Sequence, residues 1–172
     1  MPAITFDVLP DQSSAARDHY ACVLAEQAVK QGQHVFIRTR DREHSQRIDA
    51  LLWSFRDNSF VPHHRLDHQP SPAPAAEGSV AAAHTATETS ANAPVLISSG
   101  DTVDQRCADA PITLINLADD AAAHFERYAL VFEIVCDQEA SKQSSRELFR
   151  HYRAQGFPPQ HRTLRQRVLS QY

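Results

Sequence analysis

ITFDVL at 4–9 and HVFIRT at 34–39 bracket SSAARDHYACVLAEQAVKQG at 13–32, and the order of these three pieces decides the fold. The outer two are short runs rich in β-branched and aromatic residues and read as strands. The piece between them opens on Ser13 and Ser14 as polar caps and sets Ala16, Tyr20, Val23, Leu24 and Ala28 on one apolar face. It stops at Gly32, a residue that closes helices in the left-handed conformation. Two strands separated by a helix of about 17 residues pair in parallel through a right-handed crossover. Asp41 then opens a second helix with Ile48, Leu51, Leu52 and Phe55 as its apolar face. This βαβα opening predicts an α/β sheet rather than a hairpin protein.

Further along, residues 69–94 (QPSPAPAAEGSVAAAHTATETSANAP) are almost entirely Pro, Ala, Ser, Thr and Glu and cannot bury much apolar surface. Such a length is either an insertion or a domain boundary. The flanking pieces each look incomplete, with two strands before it and three after it, at 95–98 (VLIS), 112–116 (ITLIN) and 130–135 (LVFEIV), and a helix over 119–128. A flexible insertion within one domain is therefore the expectation. A final helix runs from about 139 or 140 to 155, stops at Gly156, and cannot pass Pro158 and Pro159. The predicted fold is α/β, a single domain over 1–157 with a mostly parallel sheet of about five strands flanked by helices. It is Rossmann-like without a phosphate-binding loop, and 158–172 follows as a basic C-terminal tail.

Composition narrows the function. Of 172 residues, 17 are Lys or Arg and 21 Asp or Glu, for a net charge of -4, so the chain as a whole is not drawn to nucleic acid or acidic membrane. Apolar residues make up 42% and mean hydropathy is -0.45, as in a globular domain. The N-terminus MPAITFDVLP carries neither a basic nor a hydrophobic leader region, and no apolar run is long enough to span a bilayer, so a cytoplasmic protein without a membrane partner is expected.

The four glycines (Gly32, Gly78, Gly100, Gly156) are scattered, and neither GxGxxG nor GxxxxGK[ST] occurs. No nucleotide cofactor of those kinds is expected. Cys22, Cys107 and Cys136 form no CxxC pair and read as reduced thiols. Among ten histidines the densest run, His63, His64 and His68, has only Asp67 nearby and no HExxH pattern, which argues against a metal. Ser98-Ser99-Gly100 lacks the leading glycine of a nucleophile elbow, and Cys136 beside Asp137 has no electropositive neighbour. No catalytic residue is predicted, and the chain is expected not to be an enzyme.

Charge placement says more than the total. Residues 142–172 hold seven Lys or Arg against one Glu, a local +6 in a chain of net -4, so the remainder carries -10. On the last helix Arg146, Arg150 and Arg153 fall at i, i+4, i+7, with Lys142 and Phe149 on adjoining positions. A basic stripe beside an aromatic fits a docking face for something acidic, against the plainer alternative of a solvated helix face. A second patch holds the only tryptophan, Trp53, with Phe55 and Phe60. Phe55 suits core packing, whereas Phe60-Val61-Pro62 precedes a polar loop and suits an exposed apolar anchor.

The order of elements, with Ala50-Leu51-Leu52-Trp53, Ser59-Phe60-Val61-Pro62-His63, and Lys142-Gln143 leading through Arg146-Glu147 to Tyr152-Arg153 and Gly156-Phe157, resembles the chi subunit of bacterial DNA polymerase III holoenzyme. The likeness covers about residues 1–68 and 94–157. It implies a replication accessory protein that bridges partners. In that family chi pairs with the psi subunit, which tethers it to the clamp loader, and also binds the acidic C-terminal tail of single-stranded DNA-binding protein, so DNA is contacted indirectly. For the tail, the resemblance implies Arg146, Arg150 and Arg153, with Val135, Phe149 and Trp53 shaping an apolar notch. Phe149 stands where the family pattern has tyrosine and Arg150 where it has lysine, so ring and charge persist without the hydroxyl. For psi, it implies Phe60, Val61, Pro62 and His63. No cofactor and no metal follow from it. The competing reading is direct single-stranded nucleic-acid binding through the basic end, where Arg162, Arg165 and Arg167 extend the charge but only Tyr172 is available to stack beyond Phe157.

Overall fold

Strand β1 (Ala3–Val8) leads through α1 (Ser14–Lys30) to β2 (His34–Thr39), and α2 (Arg42–Ser54) follows, as the opening pattern requires. Both helices start on the expected caps. The Ser13 hydroxyl accepts from the Ala16 N–H at 3.1 Å and the Asp41 carboxylate from the His44 N–H at 2.8 Å. The computed structural model describes residues 1–67, 92–100 and 104–164. The greater part of the 69–94 insertion thus lies outside the described residues, as do Arg165, Arg167 and Tyr172 of the expected tail.

The remaining elements are β3 (His63–Arg65), β4 (Val95–Ser99), β5 (Ile112–Asn116), β6 (Leu130–Val135), α3 (Glu139–Ala154) and β7 (Gln160–Thr163). All strands pair in parallel in one sheet of order β3-β4-β2-β5-β6-β1-β7. The sheet has two more strands than expected, one at each edge. Neither HHR nor QHRT carries an apolar alternation, because an edge strand needs only its backbone to pair. In β7 all four residues are exposed, yet Thr5 to Val8 of β1 pair with Gln160 to Thr163 in register. The ordered sheet therefore extends into the segment expected as a tail, and Leu164 beyond it is buried.

The two sheet faces divide the core. Val35, Ile37, Val95, Ile97 and Ile115 pack with Tyr20, Leu24, Ile48 and Leu52 of α1 and α2. Ile4, Phe6, Phe36, Leu114 and Val131 pack with Leu148 and Tyr152 of α3 on the other face. The helix expected over 119–128 is absent: that segment holds only a 3-10 turn at Phe125–Arg127, preceded by His124 with φ +56. Its opening residues are held otherwise. The Asp120 carbonyl accepts from Arg38 Nη1 and Asn116 Nδ2, each at 2.9 Å, instead of entering a helical ladder. At the other end of the domain Gly156 takes φ +88, which lets Phe157 N–H donate back to the Tyr152 carbonyl at 2.9 Å and turns the chain from α3 into β7.

Candidate functional site

Helix α3 lies across the α3-facing side of β1 and β6, with β7 at the adjoining edge, and a cleft of about 410 Å³ opens between them. Its floor is apolar: Phe6 and Val8 from β1, Val135 from β6 and Phe149 from α3. Phe149 stands against Phe6 with ring centroids 5.5 Å apart, which fixes it as floor and wall together. Lys142, Arg146 and Arg150, on successive turns of α3, form one rim, and His161 of β7 lines the cleft as well. Of the residues expected to meet here, Val135, Arg146, Phe149 and Arg150 do.

The rim cations are not equivalent. Lys142 is ion-paired with Asp137, and their mutual hydrogen bond raises the ammonium above its usual pKa and lowers the carboxyl below its own. Arg146 reaches Glu139 at 3.4 Å across an exposed surface. Arg150 has no ionic partner among the described residues and is exposed at the mouth of the cleft. The site offers cation donors above an apolar pit, an arrangement suited to a segment that carries both carboxylates and an apolar side chain.

A larger hollow of about 800 Å³ lies on the opposite flank of α3, lined by Asp119, Asp120, Glu126 and Glu147 with no Lys or Arg. Its charge opposes an acidic ligand, so size alone does not select it.

Two residues expected in the basic site lie elsewhere. Arg153 is exposed one turn beyond Arg150 and does not line the cleft. Trp53 sits at the end of α2, where its ring stands 5.5 Å from Phe60 and 5.0 Å from His63. The family-implied notch residue therefore belongs to the second patch. There Trp53 is 60% and Phe60 68% exposed, an uncommon pairing of large apolar side chains at a surface.

Val61, expected as part of an exposed anchor, is instead 1% exposed and packs in the α1/α2 core. The chain alternates at this point, sending Phe60 out and Val61 in. Pro62 is half-buried, and the His63 side chain is covered by Trp53. His63 Nδ1 donates to the Val61 carbonyl at 2.7 Å while Nε2 lies 3.3 Å from Asp49.

Glu26 of α1, a residue the sequence pattern did not single out, anchors the turn that presents Phe60. Its carboxylate accepts from Ser59 Oγ at 2.7 Å and Arg56 Nη1 at 3.0 Å, and pairs with Lys30 at 2.9 Å. Burial pushes its pKa up, but the hydrogen bonds from Lys30 and Ser59 and the charge of Arg56 outweigh this and leave it below the usual value. Among the described residues no three His, Cys, Asp or Glu side chains converge to hold a metal ion, and no helix is long and apolar enough to cross a membrane.

With this geometry in place, comparison with known proteins is specific. A family model described as DNA polymerase III chi subunit, HolC, matches residues 1–160. DNA polymerase III subunit chi of Pseudomonas aeruginosa is 31% identical over 160 residues, covering 93% of this chain and 95% of the relative. Subunit chi of Escherichia coli K12 is 26% identical over 161 residues, covering 91% and 95%. Among solved structures, the crystal structure of T4 UvsW superposes with a TM-score of 0.54 at 8% identity, covering 94% of this chain and 41% of that one, a likeness of fold alone.

Proposed function

Because this chain belongs to the DNA polymerase III chi subunit family, an accessory component of bacterial DNA replication, we propose that it works without catalysis, as a bridge between two proteins. One is the psi subunit, through which it is tethered to the clamp loader, docking on the Trp53–Phe60–His63 patch. The other is the acidic C-terminal tail of single-stranded DNA-binding protein, docking in the cleft under α3. The observation that carries this reading is Arg150, without an ionic partner among the described residues, above the pit of Phe6, Val135 and Phe149. A C-terminal phenylalanine ring fills the pit while preceding carboxylates meet the rim.

The two docking faces lie at opposite ends of the strand order, one beside β3 and one beside β7. From β3 to β1, the middle strand of the cleft, five spacings of roughly 4.8 Å put them about 24 Å apart, which leaves each partner its own part of the surface. Each exposed ion pair contributes only ~0.5–1 kcal/mol, so binding of the tail is about micromolar and weakens with salt.

Calorimetric titration with a peptide of the last nine or so tail residues, at low and moderate salt, tests the cleft. One-to-one, salt-sensitive binding that vanishes when the terminal phenylalanine is removed is expected. A folded protein that ignores the peptide at both salts would refute it. The competing direct contact with single-stranded nucleic acid, through the basic last helix and tail, is weakened by Arg162, one of the bases that extend its charge, whose guanidinium is already engaged by Asp7.

A further inference from the structure

We infer that His161 on β7 is a second, specificity-determining wall of the anionic-peptide cleft, so that an acidic tail is held between α3 and the edge strand rather than along α3 alone. The inference rests on the reading of this cleft as a peptide site. Three observations carry it. First, His161 pairs in register with Phe6, whose side chain faces α3 and forms the cleft floor. Side chains of registered neighbours in a parallel sheet share a face, so the imidazole stands on the cleft side.

Second, the neighbouring residue is fixed on the opposite face. Arg162 pairs in register with Asp7 and grips its carboxylate at 2.8 and 2.6 Å, so β7 is held against rotation and His161 cannot turn away from the cleft. Third, the nitrogen donors around the cleft are unevenly committed. Lys142 and Arg146 already face Asp137 and Glu139, whereas Arg150 and His161 have no hydrogen-bond or ionic partner among the described residues. These two sit on different elements, and a ligand with two or more carboxylates engages both. An imidazole donates an N–H to a carboxylate in either charge state, so the contact does not require a protonated ring.

The chemistry recognised is an extended peptide whose carboxylates are spaced to reach both walls. This differs from a purely helical rim, which would accept any acid at the mouth.

The experiment uses the full chain and the same acidic peptide at constant pH and salt. His161→Ala is expected to weaken binding about threefold, and His161→Glu at least about tenfold through like charge. His161→Arg is expected to bind as well as or better than the parent, with a steeper salt dependence. Arg150→Ala serves as the reference. If it weakens binding while His161→Glu binds like the parent, the second wall is refuted and the cleft assignment stands. If neither substitution matters, the cleft assignment fails with it. Because His161 is exposed, the variants are expected to keep the parent's unfolding midpoint. The parent protein gives an independent readout: the His161 ring proton resonances should shift on saturation with peptide, and an unshifted ring overturns the inference.

Discussion

Arg162 on the edge strand forks onto Asp7, a carboxylate with no exposed surface at all, with Nε 2.8 Å from Oδ1 and Nη2 2.6 Å from Oδ2. Tyr20 of α1 donates to the same carboxylate at 2.8 Å. The hydrogen bond to Asp7 raises the Arg162 pKa further, and burial together with the Asp7 charge pushes the Tyr20 phenol well up. An element that reads as tail in the sequence thus compensates a buried charge in the first strand.

Arg162→Ala leaves that carboxylate, among the described residues, with Tyr20 alone. We expect a loss of about 2–3 kcal/mol in urea unfolding, below the full cost of breaking a buried pair because the guanidinium is half exposed. Adding Asp7→Asn to the same chain should recover a good part of it. A loss under about 0.5 kcal/mol for the single change would mean that β7 is not fastened this way.

Glu133 of β6 is 2% exposed and accepts from Tyr152 at 2.5 Å and from Asn116 at 3.0 Å. Burial raises its pKa from 4.5 to about 7, although these hydrogen bonds oppose the rise. Because the folded value stands above the unfolded one, the folded state holds the proton more tightly. That stability is full below pH 4.5 and is lost as pH rises through about 7. Relative to Glu133→Gln, the parent should lose up to ~1.4 kcal/mol per pH unit across this window. Parallel pH profiles for the two proteins in chemical denaturation would contradict the assignment.

Phe60 and Val61 are neighbours with opposite duties. Phe60→Ala should change unfolding by less than about 0.5 kcal/mol yet deplete psi from copurified material. Val61→Ala should cost about 1–3 kcal/mol, since it removes methyl groups from a sealed core. Full recovery of psi with a folded Phe60→Ala protein would place that contact elsewhere.

For the cleft, an Arg146→Ala, Arg150→Ala double variant should bind the acidic tail peptide several-fold more weakly and with a nearly flat salt dependence. Parent-like binding with an unchanged salt slope would remove the rim from the account.

The central layers were legible because their residues follow the periods that buried faces impose. ITFDVL, HVFIRT, ITLIN and LVFEIV alternate or run apolar, and Ser13, Asp41 and Gly156 mark helix ends. The two edge strands were not, since HHR and QHRT carry no apolar alternation, and the grip of Arg162 on Asp7 exists only once β7 lies in register with β1. The basic rim was legible from α3 spacing, which brings Arg146, Phe149 and Arg150 together over Val135. His161 was hidden because its place depends on the register of β7 with β1. Trp53 was misplaced because its partner, Phe60, comes near only when the turn held by Glu26 closes. The false helix at 119–128 had a suitable composition, but Arg38 and Asn116 draw the Asp120 carbonyl away.

Titrating the acidic tail peptide into the preformed complex of this chain with psi asks whether two independent docking faces share one small sheet. A ternary complex is expected, with peptide affinity within about twofold of that for the free chain. In it, Phe60→Ala should deplete psi alone and Arg150→Ala should weaken the peptide alone, by a few-fold. Displacement of psi by the peptide, or a single change that weakens both partners, would show that the faces are not independent.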